Sequence, residues 1–172
     1  MKNGLIIDYD CTKRWFLNNR LHKLDGPAVE YLDGTKEWYQ NDLFHRLDGP
    51  AIECLNGHQE WFENGKRHRI GYPSVIFDGN KEWYERGKRH RIGGPAIEFK
   101  NGSTQWYERG KCHRINGPAI ETDSSKQWFE NSKRHRIGGP AIEWSGGNQT
   151  WYENDHLHRV DGPAVCHING YK

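Results

Sequence analysis

Short aromatic-centred segments alternate with turn residues along the whole chain, and this alternation predicts strands rather than helices. A typical segment, Gln59-Glu60-Trp61-Phe62-Glu63, is preceded by Asn56-Gly57 and followed by Asn64-Gly65. Three and four residues after successive tryptophans stand Asn41-Asp42, Asn64-Gly65, Arg86-Gly87, Arg109-Gly110, Asn131-Ser132 and Asn154-Asp155. Four residues before them stand Gly34, Gly57, Gly79, Gly102 and Gly147, with Cys11 and Ser124 at that place in the remaining units. Tight hairpin turns need positive φ, which Gly and Asn adopt at least cost. Gly and Pro recur too closely to leave room for a helix.

The pattern repeats. Tryptophans fall at 15, 38, 61, 83, 106, 128 and 151, each followed 7 residues later by a His and 12 residues later by a Pro. The step from Pro to the next Trp is 11 residues, or 10 for Pro73 to Trp83 and Pro118 to Trp128, so one joint tolerates an extra residue and the other does not. A two-residue turn at Asn64-Gly65 sets Glu63 opposite Lys66, Phe62 opposite Arg67, Trp61 opposite His68 and Glu60 opposite Arg69. Because side chains alternate across a strand, Trp and His share one face while Phe or Tyr and Arg share the other. A three-residue loop ending on Gly at the other joint would put Trp61 opposite Ala51 and Ile52 beside Glu60. In the return arm, Gly-Gly-Pro or Asp-Gly-Pro removes a ladder donor and predicts a kink. The fold expected is all-β: a single-layer antiparallel β-hairpin repeat solenoid of about seven repeats of 22–23 residues. One array covers 1–172, with a half repeat at 1–11, seven full units and a closing half repeat at 160–172. About 15 strands spaced roughly 4.8 Å apart would span roughly 70 Å.

Composition agrees with a repeat. The 172 residues are 34% hydrophobic and 28% charged, where an ordinary domain is nearer half apolar, yet 13% are aromatic, including eight Trp. That is too aromatic for a disordered chain and too polar for a thick core, so repeat stacking must supply the stability. A net charge of +2 selects neither nucleic acid nor membrane. No apolar run approaches the roughly 18–20 residues of a membrane-spanning helix. The start, MKNGLIIDYD, lacks the features of a secretory signal. Cys11, Cys54, Cys112 and Cys166 occupy four different repeat columns and read as reduced thiols, so a cytoplasmic location is expected.

The run Trp61-Phe62-Glu63-Asn64-Gly65-Lys66-Arg67-His68-Arg69, with Ile92-Gly93-Gly94-Pro95-Ala96 in the next regular unit, resembles MORN repeats, which stack as β-hairpins with a period near 23. Here one extra residue separates Trp from the Asn-Gly turn, and the unit ends on Gly-Pro-Ala. This variant looks like MORN-type arrays of bacteriophages and giant viruses. The resemblance covers the whole chain and implies scaffolding, protein contacts and in some members anionic-lipid binding, but no catalysis.

Candidate chemistry has to be found against that background. One His per unit recurs at about two strand spacings, roughly 10 Å, too far apart for zinc ligands that bind at roughly 2.0–2.3 Å, so the His column is expected to be structural, stacked on Trp. The basic residue after each His (Lys23, Arg46, Arg69, Arg91, Arg114, Arg136, Arg159) reads as a partner for the acid across the hairpin. A second layer, Lys66, Arg67, Lys88, Arg89, Lys111, Lys133 and Arg134, is confined to the central units and forms a candidate binding strip. Glu63, Glu85, Glu108 and Glu130 interleave with it and dilute its potential. One unit departs from the pattern: Tyr72 replaces a turn Gly, and Ile76 replaces an acidic residue. Trp144 lies outside the Trp register. These two places are candidate apolar anchors. No nucleophile triad, phosphate loop or isolated carboxylate pair stands out, and no cofactor or metal is implied, so a non-enzymatic role is expected. The first expectation is a phage protein that binds and neutralises or redirects a host protein. Its rivals are an anionic-membrane or nucleic-acid binder using the basic strip, a small-ligand sponge, and a structural assembly protein pairing through open sheet edges.

Overall fold

The computed structural model describes residues 1–169; it divides into two compact units, Met1–Lys88 and Arg89–Lys172, and positions 170–172 of the closing half repeat lie outside the described residues. Both units are all-β, built from short antiparallel strands joined as hairpins, with no helix among the described residues.

In the first unit one ladder runs Gly4–Ile7, Lys13–Leu17, Val29–Glu30, Lys36–Glu37, Ile52–Glu53, Gln59–Glu60, Val75–Phe77 and Asn80–Glu82, each strand pairing with the next. The second unit repeats it through Ile97–Glu98, Thr104–Gln105, Ile120–Glu121, Ser125–Gln127, Ile142–Trp144, Gln149–Thr150 and Val165–Cys166. Except at Lys13–Leu17, the strand stops at the Trp. The residues after it form a separate two-stranded hairpin, such as Phe62–Glu63 with Lys66–Arg67 or Phe129–Glu130 with Lys133–Arg134. Each repeat therefore contributes to two ladders, with the Trp at the bend, in keeping with the expected single-layer β-hairpin repeat.

Backbone hydrogen bonds carry the chain through that bend. Trp61 N–H donates to Ser74 O (2.9 Å), and His68 N–H donates to Trp61 O (3.0 Å). The corresponding bonds at Trp128 go to Ala141 O (2.8 Å) and from His135 N–H (3.1 Å). Facing Trp15, Trp38, Trp61, Trp106 and Trp128 are residues with no room to grow, since Ala28, Ala51, Ser74, Ala119 and Ala141 are all fully buried, while Ala164 facing Trp151 is half-buried. The predicted register holds at Phe62–Arg67, Glu63–Lys66 and Ile52–Glu60. It fails at Glu60–Arg69, because the return arm leaves the ladder after His68; the Glu60 carboxylate instead takes Arg67 Nε at 2.7 Å.

The two kinds of joint explain the turn residues. The variable joint with the extra residue is a three-residue loop ending in a left-handed position, as at Tyr31 to Thr35, where Tyr31 N–H donates to Thr35 O and Gly34 N–H to Tyr31 O. The Asp or Asn before that Gly accepts from the backbone two residues on, as in Thr35 N–H to Asp33 Oδ1 (2.8 Å) and Ser103 N–H to Asn101 Oδ1 (3.0 Å). Cys11 takes the Gly place at φ 62°. At the joint after the Trp, both turn residues have positive φ, including Asn64 and Gly65 (49° and 74°) and Arg109 and Gly110 (49° and 87°). The second turn residue donates its N–H to the preceding hairpin, as in Gly65 to Phe44 O and Ser132 to Cys112 O. Where that residue is not Gly, its side chain returns a second bond: Leu21 N–H to Asp42 Oδ1, Cys112 N–H to Ser132 Oγ and Arg134 N–H to Asp155 Oδ1. The four cysteines are free, with Cys11 exposed and Cys112 buried.

Trp83 is 6% exposed, whereas Trp144, whose N–H opens a three-residue loop by donating to Asn148 O, is 39% exposed. Truncating Trp83 to Ala should cost about 3–5 kcal/mol in urea unfolding, and Trp144→Ala less than about 1 kcal/mol. Equal losses would show that the register does not mark the structural tryptophans. A second outcome concerns the strained turn: Arg109→Asn should raise stability by about 0.5–1 kcal/mol, because Asn tolerates the left-handed conformation that a long side chain resists.

Candidate functional site: the arginine-stacked loop edge

The basic residue that follows the His folds back over the indole of its own repeat. In the first unit Lys23 Nζ lies 3.8 Å from the Trp15 ring centre, and the guanidinium carbons of Arg46 and Arg69 lie 4.0 and 3.9 Å from Trp38 and Trp61. In the second, Arg114, Arg136 and Arg159 lie 4.0, 3.8 and 3.9 Å from Trp106, Trp128 and Trp151. The same guanidinium donates through Nη1 to the Pro carbonyl four residues on, at 3.0 Å for Arg136 to Pro140 and 3.2 Å for Arg69 to Pro73. Its third partner is the carboxylate seven residues on: Glu98 for Arg91 (2.5 Å), Glu121 for Arg114 (3.3 Å) and Glu143 for Arg136 (2.5 Å). The expected partner was the acid across the hairpin, and the His was expected over the indole. The structure puts the cation there, because the kink at Gly-Pro brings the arm back on the Trp side. A stacked guanidinium of this kind contributes about 0.5–2 kcal/mol.

This stack explains the Gly before the Pro in most repeats: six of the seven prolines follow Gly, and the exception is Tyr72 before Pro73, where Arg69 keeps its place over Trp61 with a Cβ beside it. A Cβ at Gly49 would lie 2.6 Å from Arg46 Cζ, and one at Gly139 would lie 3.0 Å from Arg136 Cζ. Neither glycine has positive φ, so the constraint is the close approach of the guanidinium rather than the turn that sequence reasoning assigned to it.

The His column is spoken for by the neighbouring hairpin. Nδ1 of His45 and His113 accepts the N–H of Asn64 (3.1 Å) and Asn131 (3.3 Å), the first residue of the next turn. That bond uses the lone pair a metal would need. Nε2 faces a carboxylate, as with Glu63 for His68 (3.7 Å) and Glu153 for His158 (3.4 Å).

The candidate basic strip resolves into two sets. Arg67 lies over both Phe62 (5.7 Å) and Tyr84 (5.5 Å), Arg89 over Tyr107 (5.5 Å) and Arg134 over Tyr152 (5.0 Å), so these three are rungs of an aromatic stack. Lys66, Lys88, Lys111 and Lys133 are exposed at the hairpin tips. Glu63, Glu108 and Glu130 stand directly opposite three of these lysines.

The loop between the stacked Arg and the Pro holds what sequence reasoning missed. The residue after the basic one is aliphatic and faces solvent in every repeat: Leu24, Leu47 and Ile70 in the first unit, and Ile92, Ile115, Ile137 and Val160 in the second, each 75–89% exposed. The signal was present as an aliphatic column next to a charged one, but an apolar column in a strand-rich repeat reads as core. Grooves lie between successive loops. One of about 340 Å³ is lined by Arg114, Ile115, Trp128, Glu130, Arg136 and Ile137, and one of about 390 Å³ by Ile137, Trp151, Arg159 and Val160 among others. Tyr72, 64% exposed, lies on the same loop as Ile70, with its ring 5.0 Å from the Arg69 guanidinium. Ile76 is half-buried in the ladder opposite Gln59 and Lys81. Trp144 lines a separate groove with Ser124, Asn148 and Gln149. Among the described residues no group of His, Cys, Asp or Glu is arranged to hold a metal, and no helix is long and apolar enough to cross a membrane.

The class that fold and site define is an all-β hairpin-repeat protein with an apolar loop edge. No protein-family model matches the chain, and no curated protein matches it. The stack can be tested directly: Gly139→Ala should cost about 1–2 kcal/mol by displacing Arg136 from Trp128. In an Arg136→Met background the same substitution should cost much less, since the two residues share one interaction. Additive losses in the double variant would place the strain elsewhere.

Proposed function

We propose that this chain is a non-enzymatic interaction protein that binds a protein partner along the loop edge. The observation that carries the reading is the column of exposed Leu, Ile and Val beside the stacked arginines. Aliphatic side chains scattered singly on a surface need no explanation, but the same position exposed in successive repeats forms a row within each unit, and rows of apolar groups rimmed by polar ones mark protein contacts. The stacked Arg locks the base of each loop, so little ordering entropy opposes binding. The resemblance to phage arrays makes a host protein the partner, with capture or redirection of that protein as the outcome.

A polyanion-binding role has less support. Three of its four lysines at the hairpin tips stand opposite glutamates, and its arginines are occupied in stacking, which leaves little concentrated potential.

The test is capture from nuclease-treated bacterial lysate by the wild type, by Ile115→Asp with Ile137→Asp, and by Lys111→Glu with Lys133→Glu. The first pair should abolish capture with the melting temperature unchanged, while the second should preserve it. The reverse pattern would favour the polyanion reading and overturn this one.

A further inference from the structure

Arg69 breaks the pattern of its sisters. It keeps two of the three partners of a stacked arginine, the Trp61 face at 3.9 Å and the Pro73 carbonyl at 3.2 Å. The third partner is missing, because Ile76 stands where Glu98, Glu121 and Glu143 supply carboxylates to Arg91, Arg114 and Arg136. Among the described residues Arg69 makes no ion pair. The other substitution of this column, Cys166, still gives Arg159 an acceptor, with Sγ at 3.4 Å. Only at Arg69 does the place hold a side chain that cannot accept a hydrogen bond.

The acids close in sequence or register are committed elsewhere. Glu60 is taken by Arg67 and His58, at 2.7 and 3.0 Å, and Glu63 faces His68. Lys81, directly opposite Ile76, adds a second positive charge. Tyr72, where the sister units have Gly, walls the guanidinium with an exposed ring. Burial moves Arg69 below the ordinary arginine value, with Tyr72 opposing it, as expected of a cation whose counter-ion has been removed.

We propose that Arg69 is a receptor for a carboxylate, supplied by an acidic side chain of the protein partner, with Ile70, Tyr72 and Ile76 contacting apolar neighbours of that side chain. The ligand class follows from the sister units, where the same guanidinium, held by the same two contacts, binds a glutamate. One guanidinium edge on an apolar rim suits a single carboxylate better than a phosphate, which needs several donors. The fixed orientation lowers the ordering cost of the bond, and the apolar rim strengthens it by excluding water. The inference rests on the protein-binding reading above and names the chemistry of one contact within it.

The experiment follows the Arg69 side-chain Nε–H signal in ¹⁵N NMR, identified by its loss in Arg69→Lys. The titrants are two capped peptides, Leu-Glu-Leu and Leu-Gln-Leu, and inorganic phosphate. The Glu peptide should shift the signal saturably, at least tenfold more tightly than the Gln peptide or phosphate. Ile76→Glu should abolish the titration by filling the place internally, and Ile76→Val should preserve it. Equal response to Glu and Gln peptides, tighter binding of phosphate, or an unchanged titration in Ile76→Glu would each overturn the proposal. Lysate capture by Ile76→Glu separates the two readings: undiminished capture that remains sensitive to Ile115→Asp with Ile137→Asp would end the carboxylate receptor and leave the loop edge standing.

Discussion

The indoles of Trp15, Trp38, Trp61, Trp106, Trp128 and Trp151 are each covered by a cation, and the rest of the repeat is arranged so that this contact can form. The His backbone bonds to the Trp carbonyl and ends the paired return arm. The Pro carbonyl then caps the guanidinium, and at Gly49 and Gly139 the Gly before it leaves the space a Cβ would fill. A sheet one layer thick has no opposing layer to bury its aromatic faces, so each large ring must be covered from within its own repeat. An arginine suits that task because its planar, weakly hydrated guanidinium stacks on one side and donates at its edge. Fully buried Ala or Ser and the stacked cation together enclose an aromatic residue without a thick core.

Strands only two or three residues long are weak singly, and the hairpins outside the main ladder hold no shared sheet. They are joined by one recurring bond from the second turn residue to the preceding hairpin and another from the first turn residue to a histidine ring. Each turn thus depends on the hairpin before it, the nearest-neighbour coupling on which repeat proteins rely. Glycine is the simplest second residue because of its positive φ, yet Asp42, Ser132 and Asp155 serve there by returning a side-chain bond to the same neighbour.

The proposed binding role and the stability of the repeat meet in the loop between Arg and Pro. The interactions that hold its ends leave its middle outside the sheet, and the aliphatic residue there has nothing to pack against in its own repeat. A regular unit presents that residue beside a neutralised arginine. The unit containing Tyr72 and Ile76 presents it beside an arginine lacking its carboxylate, so under the proposed reading the same scaffold would offer a charged contact at one place and apolar contacts at the others.

Period, strand character, the register at Phe62–Arg67 and the three-residue loop were all legible in the sequence, because they follow from backbone geometry that Trp, Pro and Gly spacing encodes directly. The partners of the side chains were not. Counting along an antiparallel pair assumes that the pairing continues, and it stops after His68. From that point Arg69 goes to Trp61 rather than Glu60, and Ile70 goes to solvent. The basic strip divided for the same reason: Lys66 and Arg67 are adjacent in sequence, but alternation sends one to water and the other between aromatic rings. The sequence by itself determined where the chain turns and how often. Only the tertiary structure decided which face each turn exposes, since that depends on where a kinked arm comes to rest against its own tryptophan.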